Sequence, residues 1–298
     1  MAGDGNDAGA GGSGEPAPCD AQHPSGCPRG LYLSLWADHN GQNTFAGDTL
    51  PHLHILGDAE KETPVLDFIS AHGITSLSLY DLDPILSDAS RTAALEAFLE
   101  KARVRGVREV LAISDTTQAA WDQIATEQRK AKPFDGFVTE IEFWADNSFD
   151  TFKTTLAYVH GLNVEGRSGG AMPIASYIGW PSAEQMNDLA PLVDRLFIHA
   201  YVTSPDQAFG YVKQRLLDLA AANTAHGTHV EVRPIFSAEG TTWAAGAEHF
   251  MGDWLGQHSL PEAESALLAA WAAEPPGSLP PFGGFQYFEY FYLERYVP

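Results

Sequence analysis

Basic residues are scarce. The 298-residue chain carries 17 Lys+Arg against 39 Asp+Glu, for a formal net charge of −22. Tracking a phosphate backbone needs a basic surface, so no nucleic-acid partner is expected. An anionic membrane surface repels such a chain for the same reason. No run of about 20 apolar residues occurs, so no membrane span is expected either. Cysteine is nearly absent. Cys19 and Cys27 are the two in the chain, too few for a Cys-ligated zinc site or a disulfide-dense mini-fold. What remains is 44% hydrophobic and 11% aromatic, enough for one large core or two small ones. The acidic surplus reads as solubility, or as a cleft for a neutral or cationic ligand.

Residues 1–30 hold eight Gly, four Pro and both cysteines, with no aromatic residue and no Val, Ile or Leu. Such a stretch cannot bury enough apolar area to offset its ordering entropy. It reads as a disordered leader or tether, with the domain proper at 31–298. Its style suggests a tether behind an export signal, and hence a periplasmic, surface-tethered or extracellular protein. In that setting Cys19 and Cys27 can pair across a short loop; otherwise they are two free thiols.

From Leu31 onward, short apolar runs alternate with helical periodicity. The strand candidates are Leu31–Ala37, Ile74–Tyr80, Val107–Ser114, Gly136–Trp144, Pro173–Gly179, Arg195–Val202, Val230–Ser237 and Gly284–Leu293. Between them lie apolar faces such as Leu95-Phe98-Leu99-Ala102, which Gly106 stops, and Val212-Leu216-Leu219. Strands separated by helices pair in parallel through right-handed crossovers. Eight such units predict a single (β/α)8 barrel, a TIM barrel. The competing open sheet usually carries a glycine-rich phosphate turn after its first strand. Here Trp36-Ala37-Asp38-His39-Asn40 stands at that place.

A barrel places its site at the carboxyl ends of the strands. The residues closing those strands are Asp38, Asp81, Asp115, Glu140 with Glu142, Trp180, Tyr201, Glu239 and Glu289. Carboxylates and aromatics around one mouth suit a sugar, because carboxylates bind hydroxyls and aromatic faces stack on C–H surfaces. The fourth strand is the sharpest segment. Strand period puts Val138, Glu140 and Glu142 on one face and Phe137, Thr139, Ile141 and Phe143 on the other. The second set suits packing under the outer helices. The two glutamates then point inward, roughly 6.5–7 Å apart along the strand. Burial and like charge are expected to raise the pKa of one of them, giving a carboxyl able to protonate a glycosidic oxygen. Alternatively they are a solvated strand end, or are held by a cation such as Arg233.

At this strand the chain resembles the chitinase-like glycoside hydrolases of family 18, (β/α)8 barrels with D-G-x-D-x-D-x-E on the fourth strand. The matching stretch is Asp135-Gly136-Phe137-Val138-Thr139-Glu140-Ile141-Glu142. Glu142 falls on the family's catalytic acid, and Glu140 on the aspartate that orients the 2-acetamido group. Val138 replaces the middle aspartate. Ile198-His199-Ala200-Tyr201 resembles the sixth-strand segment whose tyrosine holds the acetamido group, and Phe288 falls near the floor tryptophan. The third-strand serine–glycine motif is absent, with Ile113-Ser114-Asp115 in its place. The resemblance implies a retaining, substrate-assisted glycosidase. Glu142 is then the general acid, with Glu140 and Tyr201 positioning the sugar.

The expected substrate-binding set is Trp36, Asp38, Asp81, Asp115, Trp144, Tyr177, Trp180, His199, Glu239, Gln286 and Phe288. The expected partner is an oligosaccharide or glycan, with no cofactor and no metal; nothing in the pattern fixes an oligomeric state. Two other readings stand beside the hydrolase. One is a catalytically silent carbohydrate-binding barrel. The other is a metal-dependent barrel hydrolase, suggested by His52-Leu53-His54 after Asp38-His39, although that H-x-H lies in a loop beyond the first strand.

Overall fold

The structure, a computed structural model, describes Cys19 and residues 23–37, 44–45, 48–49, 53–144, 148–238 and 250–297. Eight parallel strands close into a barrel. They are β1 (Arg29–Ser34), β2 (Ser76–Tyr80), β3 (Glu109–Ser114), β4 (Gly136–Thr139), β5 (Ile174–Ile178), β6 (Arg195–His199), β7 (Glu231–Ser237) and β8 (Phe285–Phe288). Each is bonded to the next, and β8 closes on β1. A helix follows each strand in turn: α1 (Ala59–Ala71), α2 (Ala89–Val104), α3 (Gln118–Ala131), α4 (Phe149–Gly161), α5 (Ala183–Leu189), α6 (Pro205–His226), α7 (Leu260–Ala272) and α8 (Tyr290–Tyr296). This is the (β/α)8 barrel that the alternation predicts.

Strand period divides each strand between two cores. Tyr32, Leu111, Ile113, Val138, Ala175, Tyr177, Phe197 and Ile235 fill the barrel interior. Their neighbours, such as Leu31, Phe137, Ile178, Leu196 and Phe236, pack outward under the helices. The amino-terminal end of the barrel is plugged by ions. Glu109 takes Arg233 and Arg195 at 2.7 Å each, and Arg195 also pairs with Glu231. Burial pushes the Glu109 carboxyl up, but the two guanidiniums outweigh it and hold it at about 2. Arg233 is therefore committed to this plug and does not serve the fourth-strand glutamates.

Most strands are shorter than the sequence expectation by one to three residues at an end, the sixth stopping at His199 rather than Val202, and four boundaries differ for reasons that tertiary contacts supply. The first strand begins at Arg29, inside the segment read as leader. Cys27 is buried beside it and joined to Cys19 by a disulfide. Arg29 itself is anchored: its Nε and Nη2 donate to Glu264 of α7 at 2.5 and 2.7 Å, and Tyr287 also donates to that carboxylate. The same strand stops at Ser34, because Trp36–Ala37 leave the barrel to pair antiparallel with Leu53–His54. β4 stops at Thr139 rather than Trp144. Phe143 packs on Phe149 and Phe152 of α4, at 5.0 and 4.8 Å between centroids, and turns the chain toward that helix. β8 stops at Phe288; the aromatic run beyond it is helical, burying Tyr290, Tyr292 and Leu293. Helix starts follow local chemistry. Asp88 caps α2 through its side chain, and Ser182 with Gln185 forms a capping box on α5.

Candidate active site

The alternation of β4 continues past its last ladder bond. Val138 is sealed in the barrel, while Phe137 meets Trp121 and Ile141 and Phe143 join the outer core. Glu140 and Glu142 are left on the inner face at the mouth, as the period requires. The Glu140 amide still donates to the Ser114 carbonyl, so its backbone belongs to the barrel rim. The Glu140 side chain is half-buried and that of Glu142 is exposed. Burial, then the charges of Glu142 and Asp81, push the Glu140 carboxyl up to about 7. Glu140 thus keeps its proton up to about neutral pH.

Two tyrosines face the pair. The Tyr177 hydroxyl donates to Glu142 Oε1 at 3.4 Å, and Tyr177 and Tyr201 share a hydrogen bond. Burial first, then Tyr201 and Glu140, push the Tyr177 phenol far up, so it stays a donor at any working pH. The Tyr32 hydroxyl lies beneath, fully buried and raised by burial and by Glu140.

On one side the mouth opens into an acidic groove of about 470 Å³, lined by Tyr80, Asp81, Asp83, Ile113, Asp115 and Glu140 among others. Ser34 donates to Asp81 at 2.7 Å and holds it at the rim. No Lys, Arg or His lines this groove among the described residues. On the other side stands an aromatic wall. Trp144 lies 5.7 Å from Tyr177 and 5.6 Å from His199, in a space that Gly179 leaves free. Trp180 and Tyr201 border His199, and Phe288 lies between Tyr32 and Tyr201.

Glu140, Glu142, Tyr201, Asp81, Asp115, Trp144, Tyr177, Trp180, His199 and Phe288 therefore converge on one mouth. Gln286 does not. It is fully buried inside the barrel, with its Nε2 donating to Ser78 and its amide filling the space over Gly30. Trp36 stands in the side hairpin, stacked on His54 at 4.0 Å with the Arg91 guanidinium 4.4 Å from its ring. Its ring is thus covered by protein groups. Asp38 and Glu239 lie outside the described residues, as do His39 and His52. Among the described residues no three His, Cys, Asp or Glu are grouped as metal ligands. Sequence reasoning missed Tyr80 and Asp83. It named Glu289 as closing the last strand, but not the bond from Tyr80 that holds it or the burial that lifts it to about 8. Period 2 on β2, with Ser76, Ser78 and Tyr80 on one face, is the signal that marks Tyr80 as inward.

The chain matches no protein-family model and no curated protein. Among solved structures it is similar to an endo-beta-N-acetylglucosaminidase from Cordyceps militaris, at 13% identity over 88% of this chain and 80% of that one, with a TM-score of 0.47. It is similar to the ICChI chitinase from Ipomoea carnea, at 16% over 90% and 97%, TM-score 0.47. It is also similar to a tamarind chitinase like lectin, at 11% over 91% and 96%, TM-score 0.45. The chain thus resembles both chitinase-like enzymes and a chitinase-like lectin. At such distances the chemistry has to come from the side chains.

Proposed function

We propose that this barrel is a glycoside hydrolase for an uncharged or cationic glycan containing a 2-acetamido sugar. The observation that carries the reading is the carboxyl pair at the mouth. Glu140 is lifted to about 7, and Glu142 stands next to it, open to solvent and met by Tyr177. In this reading the proton held on Glu140 passes to Glu142 as the sugar binds, Glu142 gives it to the leaving oxygen as the glycosidic bond breaks, and the acetamido carbonyl bonds to the anomeric carbon. Glu140 and Tyr201 hold that group. Water, deprotonated by Glu142, then opens the cyclic intermediate with net retention, and no protein nucleophile is required. The acidic groove disfavours anionic glycans by like charge, and the aromatic wall offers faces for sugar C–H surfaces. The same reading places the protein outside the cytoplasm, where the Cys19–Cys27 disulfide persists.

The test is a panel of aryl β-glycosides, with and without a 2-acetamido group, on the wild type and on Glu142→Gln. The expected result is turnover of the acetamido series by the wild type. In Glu142→Gln that turnover falls by about 10²–10⁴-fold, with oligosaccharide binding retained. Binding without turnover in both forms identifies a carbohydrate-binding barrel instead. Activity abolished by chelator identifies the metal-dependent hydrolase.

A further inference from the structure

His199 ends β6 facing inward, in register with Arg195 and Phe197 on the same face. It is 4% exposed, and rings surround it. Tyr201 stacks on it at 4.3 Å with 2° between planes, and Tyr177 lies at 4.3 Å. Trp180 and Trp144 meet it edge-on at 5.4 and 5.6 Å. The backbone below is fixed, since Arg215 of α6 donates to the His199 carbonyl at 2.9 Å and to the Gly179 carbonyl.

Neither ring nitrogen has a hydrogen-bond partner among the described residues. Each buried polar atom left this way costs on the order of 1–3 kcal/mol. A phenylalanine would fill the same space without that cost, so packing alone does not account for a histidine here. Ionisation does not resolve the cost either, because burial and the Arg215 charge keep the imidazole neutral, down to about 3. A neutral imidazole offers one N–H and one lone pair. A carboxylate can satisfy the first only, and an ammonium the second only. A hydroxyl, both donor and acceptor, satisfies either nitrogen in either tautomer. The box joins the carboxyl pair directly, since Tyr177 touches both His199 and Glu142. Trp180, 55% exposed, forms its solvent side.

We propose that His199 is a specificity-determining residue that reads a hydroxyl of an uncharged pyranose bound at the barrel mouth, in the subsite beside Glu142. The inference rests on the glycan reading above and adds which group selects the sugar.

The experiment measures binding by calorimetry in the Glu142→Gln background, with and without His199→Phe. The probes are 4-methylumbelliferyl β-glycosides of N-acetylglucosamine and of glucose, with their 3-, 4- and 6-deoxy derivatives. The expected result is that one deoxy derivative binds about tenfold or more weakly than its parent when His199 is present. In His199→Phe the parent weakens to the same level and the difference between parent and derivative vanishes. Thermal stability of His199→Phe is expected to hold or rise, which separates loss of reading from loss of fold. Equal binding of parent and all deoxy derivatives overturns the proposal, as does unchanged parent affinity in His199→Phe. So does failure of every parent to bind. Should the wild type bind but cleave none of these glycosides while the hydroxyl dependence holds, the hydrolase reading fails and the role of His199 stands. Cleavage with no dependence on His199 overturns that role and leaves the hydrolase reading intact.

Discussion

Replacing Glu140 with glutamine should stabilise the protein, by an amount that grows as pH rises from 4.5 to about 7 and then levels off. Glutamine copies the protonated carboxyl in shape and charge. In the unfolded chain Glu140 titrates near its ordinary 4.5, and in the fold near 7. Between those values the folded state binds more protons than the unfolded one, so stability falls as pH rises through that window. Above it the wild type carries a buried charge beside Glu142 and Asp81. The distance from 4.5 to about 7 corresponds to roughly 3 kcal/mol, and screening by water at the open mouth reduces this to about 2–3 kcal/mol. Glu140→Gln lacks that loss. Urea denaturation of both proteins at pH 4 and pH 9 should show near-equal stability at the lower pH and the variant ahead by about 2–3 kcal/mol at the higher. In melting temperature that is on the order of 6 °C. Glu289, lifted to about 8 by burial and Glu294, makes both proteins lose stability as pH rises from 4.5 to about 8, but it cancels in the comparison. A gap of the same size at both pH values refutes the reasoning, because it would come from packing and not from a shifted proton.

Two further substitutions probe the frame around the mouth. Glu264→Ala leaves the Arg29 guanidinium, buried at the start of β1, without its carboxylate, and leaves the Tyr287 hydroxyl without its acceptor. The expected cost is about 3–5 kcal/mol in chemical denaturation, and a cost under 1 kcal/mol would show that the pair is already solvated. Gly179→Ala would put a methyl 2.5 Å from the Trp144 ring, so the indole must move away from Tyr177 and His199. Oligosaccharide affinity should fall several-fold with little change in melting temperature, and unchanged affinity would show that Trp144 is not a subsite wall.

Much of the site was legible because strand period is a local property. Phe137, Ile141 and Phe143 demand the outer core, so Glu140 and Glu142 had to face the mouth once β4 was recognised. The strand's end was not legible, because the stop at Thr139 depends on Phe143 meeting Phe149 and Phe152. Trp36 misled for a similar reason: it closes an apolar run, yet its ring belongs to a hairpin with Leu53–His54 and to Arg91. Gln286 misled because its neighbours Ser78 and Gly30 come from other strands.

The order and spacing of apolar runs was enough to determine eight βα units and the side of each strand that faces inward, since both follow from backbone periodicity and chain connectivity. Only the closed barrel decided how charge is distributed within it. Arg233 is paired with Glu109 at one end, the proton rests on Glu140 at the other, and the His199 ring is walled in by Trp144, Tyr177, Trp180 and Tyr201. Desolvation and pairing act through space, among residues that are far apart along the chain.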